Sequence, residues 1–421
     1  MLSDRERATI KATVPALRAH RETITLRFYS TMLAAHPELY NYFNPANQRA
    51  EGGQARSLAA SVLTYAENID RLGALGGMVE RIAAKHVSLE ILPEHYPIVG
   101  QHLLGAIAEV LGDAATPDVL SAWGAAYGQL ADIMIGRETA LKKAAAEQLG
   151  GWAAFRPFRV ARKVPESEVM TSFLLEPEDG MPLPQSSPGQ YVSVKVRPPG
   201  LAFDQIRQYS LSAAPNGRQF QISVRREDAP ARSVDIQPGM VSTFLHRVVG
   251  EGDTLLVHTP GGTFVLDERS VDPVVLMSGG AGITAVFGIL QRLASKTNRE
   301  VLWMHATRSR QDDAFGPEVR ALAASRSGIK CITIYETVGP EDVRGMHFDA
   351  IGRISAELLR AHLPVGNAEF YYCGPIGFVA ATEHILDELG VAAQRRHTET
   401  FAPTTSFGVK SPSIEVVSES A

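Results

Sequence analysis

Cysteine is scarce in this chain, with two in 421 residues, Cys331 and Cys373. Two isolated thiols exclude a disulfide framework and a CxxC metal site, and they point to a reducing compartment, the cytoplasm. An excess of one charge is also missing. The net charge of −5 gives no general reason to expect nucleic acid as a partner. The opening MLSDRERATIKATV lacks the apolar run of a secretory leader. The uncharged run from Pro273 to Gln291 is long enough to raise the question of a membrane span. Glycines at 279, 280, 282 and 288 argue there for a strand, a tight turn and a helix instead. No protein partner is indicated. What remains is a globular composition and a length that predicts two to three domains, each able to bury a full core.

Strand signals are absent from the first block, residues 1–150, where apolar residues recur at helical spacing. Stretches such as Ile10–Leu17, Ile24–Leu33, Leu58–Ile69, Ile98–Leu111 and Trp123–Ile135, broken at Pro37, Phe43-Asn44-Pro45 and Pro93, predict an all-α domain. Within Val79–His86, the residues Val79, Ile82, Ala83 and His86 share one helix face, which turns Lys85 away. A lone histidine on an apolar face is usually a hydrogen-bonded core residue. Tyr29 and Gln54 are polar residues at otherwise apolar helical positions, and Phe43 stands in an Asn-Tyr-Phe-Asn corner. A buried tyrosine with a satisfied hydroxyl is the plain alternative for Tyr29.

After Trp152 the period changes to two. Val192, Val194 and Val196 alternate with Ser193, Lys195 and Arg197, and Phe220, Ile222 and Val224 alternate with Gln221, Ser223 and Arg225. Pro215-Asn216-Gly217 predicts a hairpin whose Asn-Gly supplies positive φ angles. Several short strands at this spacing predict a small antiparallel barrel. Further on, a buried strand at Val274–Met277 runs into Ser278-Gly279-Gly280-Ala281-Gly282-Ile283-Thr284 and a helix. Such glycines let backbone approach a pyrophosphate at a helix N-terminus, although a plain tight turn reads the same way. Strands at Val301–His305, Cys331–Tyr335 and Glu369–Cys373 alternate with helices, which predicts a parallel sheet. Arg308 and Arg310 follow the strand at Val301–His305, where they could admit a ribose phosphate or simply be solvated.

Several pieces of the first block resemble the globin domain of the flavohaemoglobins. They are Arg27-Phe28-Tyr29, Pro37-Glu38-Leu39, Phe43-Asn44, Asn47-Gln48-Arg49, Ala84-Lys85-His86, Pro93-Glu94-His95-Tyr96 and Ala122-Trp123-Gly124-x-Ala126-Tyr127-Gly128. The resemblance implies that His86 is the proximal ligand of a b-type haem, with Tyr96 and Glu138 as partners of its other nitrogen. It implies that Phe43 packs on the haem, that Tyr29 and Gln54 hydrogen-bond dioxygen, and that Leu58 closes the distal pocket. One residue is inserted between Arg49 and Gln54 relative to the usual family spacing.

Arg207-Gln208-Tyr209-Ser210 after a strand resembles the flavin-binding signature of the ferredoxin-reductase-like family, in the context of Tyr191. There Arg207 can neutralise a pyrophosphate, Tyr209 can lie against the flavin ring, and Ser210 can bond its polar edge. Gly239-Met240-Val241-Ser242-Thr243-Phe244-Leu245 resembles that family's second phosphate element, which assigns Gly239, Val241 and Ser242 to FAD. Gly280, Ala281, Gly282, Ile283, Thr284 and Ala285 would then face NAD(P)H, together with Tyr372-Cys373-Gly374-Pro375. Cys373 reads equally well as a small buried residue. Glu399-Thr400-Phe401-Ala402-Pro403 resembles the family's closing Glu-Cys-Phe-Gly-Pro, with Phe401 over the flavin. Thr400, Ala402 and Ala285 depart from the usual Cys, Gly and Pro. Lys85 and Glu399 fall near the cofactors and are expected to shift redox potentials; as ordinary surface charges they would not.

The resemblance therefore implies a multi-domain α+β chain. A globin domain at 1–150 precedes an antiparallel β-barrel FAD domain at 151–266 and an α/β parallel-sheet NAD(P) domain at 267–403, with a loose tail at 404–421. It implies an NAD(P)H-dependent nitric oxide dioxygenase, in which FAD relays electrons to haem iron and haem-bound O2 oxidises nitric oxide to nitrate. The alternatives are a haem-based O2 or NO sensor, and an NAD(P)H flavin reductase with a non-catalytic globin domain. An intact reductase half argues against the sensor, which needs no hydride input.

Overall fold

The chain's first helix starts where chemistry puts it. In this computed structural model, which describes residues 2–43, 53–228 and 239–401 (side chains of 53–57 and 59 excepted), Ser3 and Glu6 form a reciprocal capping box at the start of α1, Asp4–Ala19. The side chain of Gln54, residues Asn44, Asn47, Gln48, Arg49, Ala402 and Pro403, and the segments 229–238 and 404–421 lie outside the described residues. Helices α2 (Arg21–Ala35), α3 (Gly53–Glu67), α4 (Gly76–Ser88), α5 (His95–Leu111) and α6 (Pro117–Glu147) complete the helical lobe. Thr116 caps α6 ahead of Pro117, whose missing N–H costs nothing in the first turn. The apolar faces meet in one core that includes Phe28, Met32, Leu103, Ile107 and Trp123.

Strands follow the helices. β1 (Phe155–Pro165), β2 (Met170–Pro177), β3 (Tyr191–Val196), β4 (Gln205–Ser210), β5 (Phe220–Arg225) and β6 (Thr254–His258) form an antiparallel sheet in the order β4-β3-β6-β1-β2-β5, with α7 (Met240–Arg247) between β5 and β6. A bridge between Leu211 and Ile222 joins its two ends and closes the barrel. The expected hairpin turn at Pro215-Asn216-Gly217 lies inside this antiparallel bridge, where the Ser212 amide donates to the Gln221 carbonyl at 2.9 Å. Gly217 alone takes the positive φ, +72°, while Asn216 accepts from the amides of Arg218 and Gln219 in an Asx turn. The turn forms and returns the chain from β4 to β5, which pairs with β2 along its other edge.

The last lobe is a six-stranded, wholly parallel sheet. β7 (Val274–Gly279), α8 (Ile283–Lys296), β8 (Val301–Thr307), α9 (Gly316–Ser325), β9 (Ile329–Tyr335), β10 (Ala350–Ile351), α10 (Ala356–Arg360), β11 (Glu369–Gly374), α11 (Ile376–Glu388) and β12 (Arg396–Thr400) build it in the order β10-β9-β8-β7-β11-β12. Every residue of β7 is buried. Val274 and Leu276 face the core under α8 and α9, and Val275 and Met277 face the one under α10 and α11. Covering both faces makes the run continuously apolar rather than alternating. That answers the membrane question: among the described residues no helix is long and apolar enough to span a bilayer.

Candidate functional site

Near the end of α4, His86 Nδ1 lies 2.8 Å from Glu138 Oε1 on α6 and 3.1 Å from the Tyr96 hydroxyl on α5. Tyr96 donates to the same carboxylate oxygen at 2.5 Å, and Tyr127 donates to the Tyr96 carbonyl at 2.7 Å. Glu138 is 3% exposed, so its charge is held by these donors rather than by water. Burial, and then the bond to Glu138, push the Tyr96 phenol far above its ordinary range, which keeps it a donor. An imidazole that gives its Nδ1 proton to Glu138 keeps its lone pair on Nε2, the tautomer that binds a metal. Among the described residues no three His, Cys, Asp or Glu gather to hold an ion. A single axial imidazole is the donor set of a porphyrin iron, and the residues fit haem.

Tyr29, Phe43 and Leu58 belong to one apolar cluster with Val79 and Ile82 from the His86 face. Tyr29 is 6% exposed and its ring meets Phe43 edge-on at 5.5 Å. Burial raises its phenol, so it too can act as a neutral donor.

In the barrel, Arg207 donates to the Ile206 carbonyl at 2.8 Å and to Gln205 Oε1 at 3.1 Å. Among the described residues no carboxylate pairs with it, and burial pulls its pKa down. A half-buried, desolvated cation with no carboxylate beside it among the described residues fits a pyrophosphate. Ser210 is buried opposite Tyr191, and burial raises the phenols of both Tyr191 and Tyr209. Gly262, at φ +108°, lies so close to the Tyr191 ring that a Cβ would come within 2.8 Å of it. Gly239 caps α7, Ser242 Oγ donates back to its carbonyl at 3.0 Å, and Val241 is buried. Thr243 Oγ1 is buried with no partner among the described residues, which leaves a hydroxyl for a ligand beside α7. Gln208 points the other way, donating 2.7 Å to Ser88 Oγ on α4.

In the parallel-sheet lobe, Gly280, Ala281 and Gly282 form a 3-10 turn that runs into α8 at Ile283, and Thr284 Oγ1 donates to the Ala281 carbonyl at 3.0 Å. A Cβ on Gly282 would come within 1.9 Å of the Cys373 carbonyl oxygen, so glycine alone lets this turn lie against the end of β11. Ala285 is fully buried. Cys373 is fully buried, and burial and the nearby Glu399 push its thiol up. Glu399 is its register partner on β12, and Gly374 pairs with Thr400. Pro375 caps α11. Phe401 is 52% exposed. Arg308 pairs with Asp312 at 2.5 Å and Arg310 with Asp342 at 3.8 Å.

Lys85 does turn away from the His86 face, and it turns toward the third lobe. It opens onto solvent yet is crowded enough that desolvation lowers its ammonium, against the attraction of Glu399. Burial raises the Glu399 carboxyl, and Lys85 and Arg81 oppose it. Sequence reasoning did not reach Arg81, Ser88 or Thr243. It also missed a buried chain at the Gly-rich turn, in which Ser278 Oγ lies 2.8 Å from His305 Nδ1, and Asp313 lies beyond, bonded by the Tyr335 hydroxyl at 2.9 Å. Ser88 had a signal, as the polar last residue of a helix, two positions beyond a histidine on its apolar face.

The globin family model matches residues 26–134, and the oxidoreductase NAD-binding domain matches residues 276–384. A flavohemoprotein of Deinococcus radiodurans is 57% identical over 408 residues, covering 97% of this chain and 98% of that protein. One of Bordetella pertussis is 47% identical over 404 residues, covering 95% and 98%. The crystal structure of a Malassezia yamatoensis flavohemoglobin with bound FAD and heme is similar with a TM-score of 0.81 at 28% identity, over 95% of this chain and all of that one. The flavohem-like FAD/NAD binding domain of a Vibrio cholerae nitric oxide dioxygenase is similar over 59% of this chain and all of its own, with a TM-score of 0.53 at 38% identity. Near-complete coverage by such relatives, over a helical lobe, a barrel and a parallel sheet whose residues fit haem, FAD and NAD(P)H, places the chain in the flavohaemoglobin family of NAD(P)H-dependent oxidoreductases.

Proposed function

We propose that this protein is a nitric oxide dioxygenase, acting on nitric oxide and O2 at the expense of NAD(P)H in the cytoplasm. The observation that carries the reading is the His86–Glu138–Tyr96 cluster beside Tyr29, in a chain that also holds a complete reductase half. When bound, the dinucleotide, flavin and haem supply hydride transfer, its division into single electrons, and dioxygen activation. The chain's own work is positional and electrostatic. His86 offers Nε2 to iron while Glu138 holds its Nδ1 proton, which makes the imidazole a stronger donor. Tyr29 presents a hydroxyl that burial keeps protonated, and Phe43 and Leu58 keep the pocket apolar. Gln54 takes a share in oxygen binding by the family resemblance.

Arg207 meets the flavin pyrophosphate, together with Gly239, Val241 and Ser242. Tyr191, Tyr209, Ser210 and Phe401 frame the ring, and Gln208 ties that strand to α4. Residues Gly280 to Ala285 and Cys373 to Pro375 would receive the dinucleotide, and Glu399 to Phe401 would lie toward the flavin, with Ala402 and Pro403 assigned there by the family resemblance alone. The domains of this reading span 1–150, 151–266 and 267–403. The test is an anaerobic spectrum of the purified holoprotein with NADH, followed by oxygen and nitric oxide. A haem Soret band that shifts with NADH, and nitrate formed in step with nitric oxide lost, is the expected result. Flavin absorbance alone, or a reduced haem that leaves nitric oxide untouched, refutes it. His86→Ala should abolish haem-dependent oxygen consumption and spare the reduction of flavin by NADH.

A further inference from the structure

Helix α4 ends in an unusual way. Ile91 N–H bonds the His86 carbonyl and Glu90 N–H bonds the Val87 carbonyl, each at 3.0 Å, and Glu90 itself is left-handed at φ +57°. This is the Schellman arrangement, and its left-handed position ordinarily belongs to glycine, because a Cβ crowds the carbonyl there. A strained residue that persists needs a reason outside its own backbone.

The reason lies across the lobe boundary. The Glu90 carboxylate meets Lys195 Nζ on barrel strand β3 at 3.5 Å, with the two side chains 24% and 22% exposed. Among the described residues this is the one ion pair within 4 Å that joins the helical lobe to the barrel. Lys195 is held from its other side, with Nζ 4.1 Å over the Phe155 ring, so less freedom is lost when the pair forms. The surrounding contacts are neutral: Gln208 on Ser88, the Asp204 amide on Asn41 Oδ1, and Tyr40 stacked on Phe203. Strand β3 is also the hydrogen-bonded partner of β4, and Val194 and Val192 sit opposite Arg207 and Tyr209. A glycine at 90 would relax the helix end and remove the charge.

We propose that Glu90 and Lys195 are positioning residues, whose ion pair fixes the His86-bearing helix against the flavin-side strands, and that the left-handed strain at Glu90 is retained for this contact. The proposal rests on the reading that electrons pass from the barrel to the helical lobe. It concerns the docking of the two lobes and not the chemistry in either.

The test uses the holoprotein and compares E90G, E90Q, K195Q and the charge-swapped E90K/K195E. E90G should raise the folding equilibrium of the haem lobe roughly five-fold, read as a higher denaturant midpoint of the Soret band, because a left-handed Cβ is removed. The same variant should slow flavin-to-haem transfer by up to about five-fold in anaerobic stopped flow, the range of a partly exposed ion pair. E90Q and K195Q should slow transfer to a similar degree. In the wild type, transfer should slow between about 0.05 and about 0.5 M salt, and all three variants should lose that dependence. The charge swap should restore both rate and salt response. A generic structural role predicts neither a stabilised but slower E90G nor rescue by the swap. E90G that transfers like wild type, or a swap that restores nothing, overturns the proposal. Carbodiimide condensation of Glu90 with Lys195, read by peptide mass spectrometry on the full chain, tests the contact without using electron transfer. A missing cross-link overturns the proposal. A cross-link in a protein whose haem NADH never reduces supports the contact and refutes the electron-transfer reading.

Discussion

Replacing Glu138 with Gln keeps the shape of a residue that is 3% exposed and removes its charge. Two donors depend on that charge, His86 Nδ1 at 2.8 Å and the Tyr96 hydroxyl at 2.5 Å. Net hydrogen bonds to a charged group run to about 1.5–3 kcal/mol and neutral ones to about 1, so the imidazole loses about 0.5–2 kcal/mol of support. The loss falls unevenly on the two iron states, since ferric iron takes more from an electron-rich imidazole. If all of it were differential, the haem midpoint potential would rise by about 20–90 mV, at 59 mV for each factor of ten in a one-electron couple. A spectroelectrochemical titration of the holoprotein reads the Soret and flavin bands in one sample. The expected outcome is a haem potential raised by tens of millivolts, a flavin potential unmoved, and haem loss to an acceptor faster by roughly ten-fold or more. A variant with wild-type stability and an unmoved haem potential would refute the assignment of Glu138 as the electronic partner of His86. A shift in the flavin instead would place its influence in the wrong lobe.

Gly282→Ala drives a Cβ within 1.9 Å of the Cys373 carbonyl oxygen and 2.7 Å of the Gly374 amide, both backbone atoms. It should cost about 1–3 kcal/mol in the third lobe and abolish flavin reduction by NAD(P)H, while the Soret band of the haem lobe stays normal; calorimetry and stopped flow check the two halves. Both thiols are pushed up by burial, so Cys331 and Cys373 should resist an alkylating reagent at neutral pH and react stoichiometrically only after denaturation. His305 is held down to about 4 and Asp313 is raised to about 6, both by burial. As pH falls from 6.5 to 4 the histidine withdraws stability, because the unfolded chain takes up its proton first. Over a similar window the carboxyl adds stability, because the folded chain binds its proton first. The two slopes nearly cancel in the wild type. Asp313→Asn should expose the histidine's slope as an acid-labile third lobe, with about 3 kcal/mol lost across that range by chemical denaturation. An acid profile identical to wild type would refute the opposition.

Periodicity made the fold legible, and the reasons are local. The face Val79, Ile82, Ala83 and His86 could be drawn from spacing, and so could the valine alternation of β3, because side chains on one face must share a burial state. The Asn-Gly turn was legible as the turn that brings Leu211 back to Ile222, but β2, the neighbour on the other edge of β5, was not. Arg207 and the Gly280–Gly282 turn could be singled out as phosphate candidates because each stands in a short local motif, Arg207 to Ser210 and Ser278 to Thr284. The partners across lobes were not visible. Nothing in local sequence brings Lys85 to Glu399 or Glu90 to Lys195, and a left-handed glutamate has no signature, because the signals for that conformation are glycine and asparagine.

Those invisible contacts change which stretch the molecule turns on. Arg207 to Ser210 joins unlike halves of the sequence, but in three dimensions the joining is done from the other side, by the last turn of α4 and its cap. Lys85 faces Glu399 of the parallel-sheet lobe, His86 bonds Glu138 within the helical core, Ser88 receives Gln208 of β4, and Glu90 meets Lys195 of β3. A helix turns about 100° per residue, so Lys85, His86 and Ser88 point in three directions, and Glu90, past the helix end in left-handed backbone, adds a fourth; together they reach three lobes. Such a segment tolerates little freedom at its end. The Schellman bonds from Ile91 and Glu90 fix where the chain leaves the helix, and a carboxylate rather than a bare glycine at that exit ties the exit to the barrel. His86 is therefore held from beneath by Glu138, and its helix is held from outside by groups belonging to both halves of the reductase.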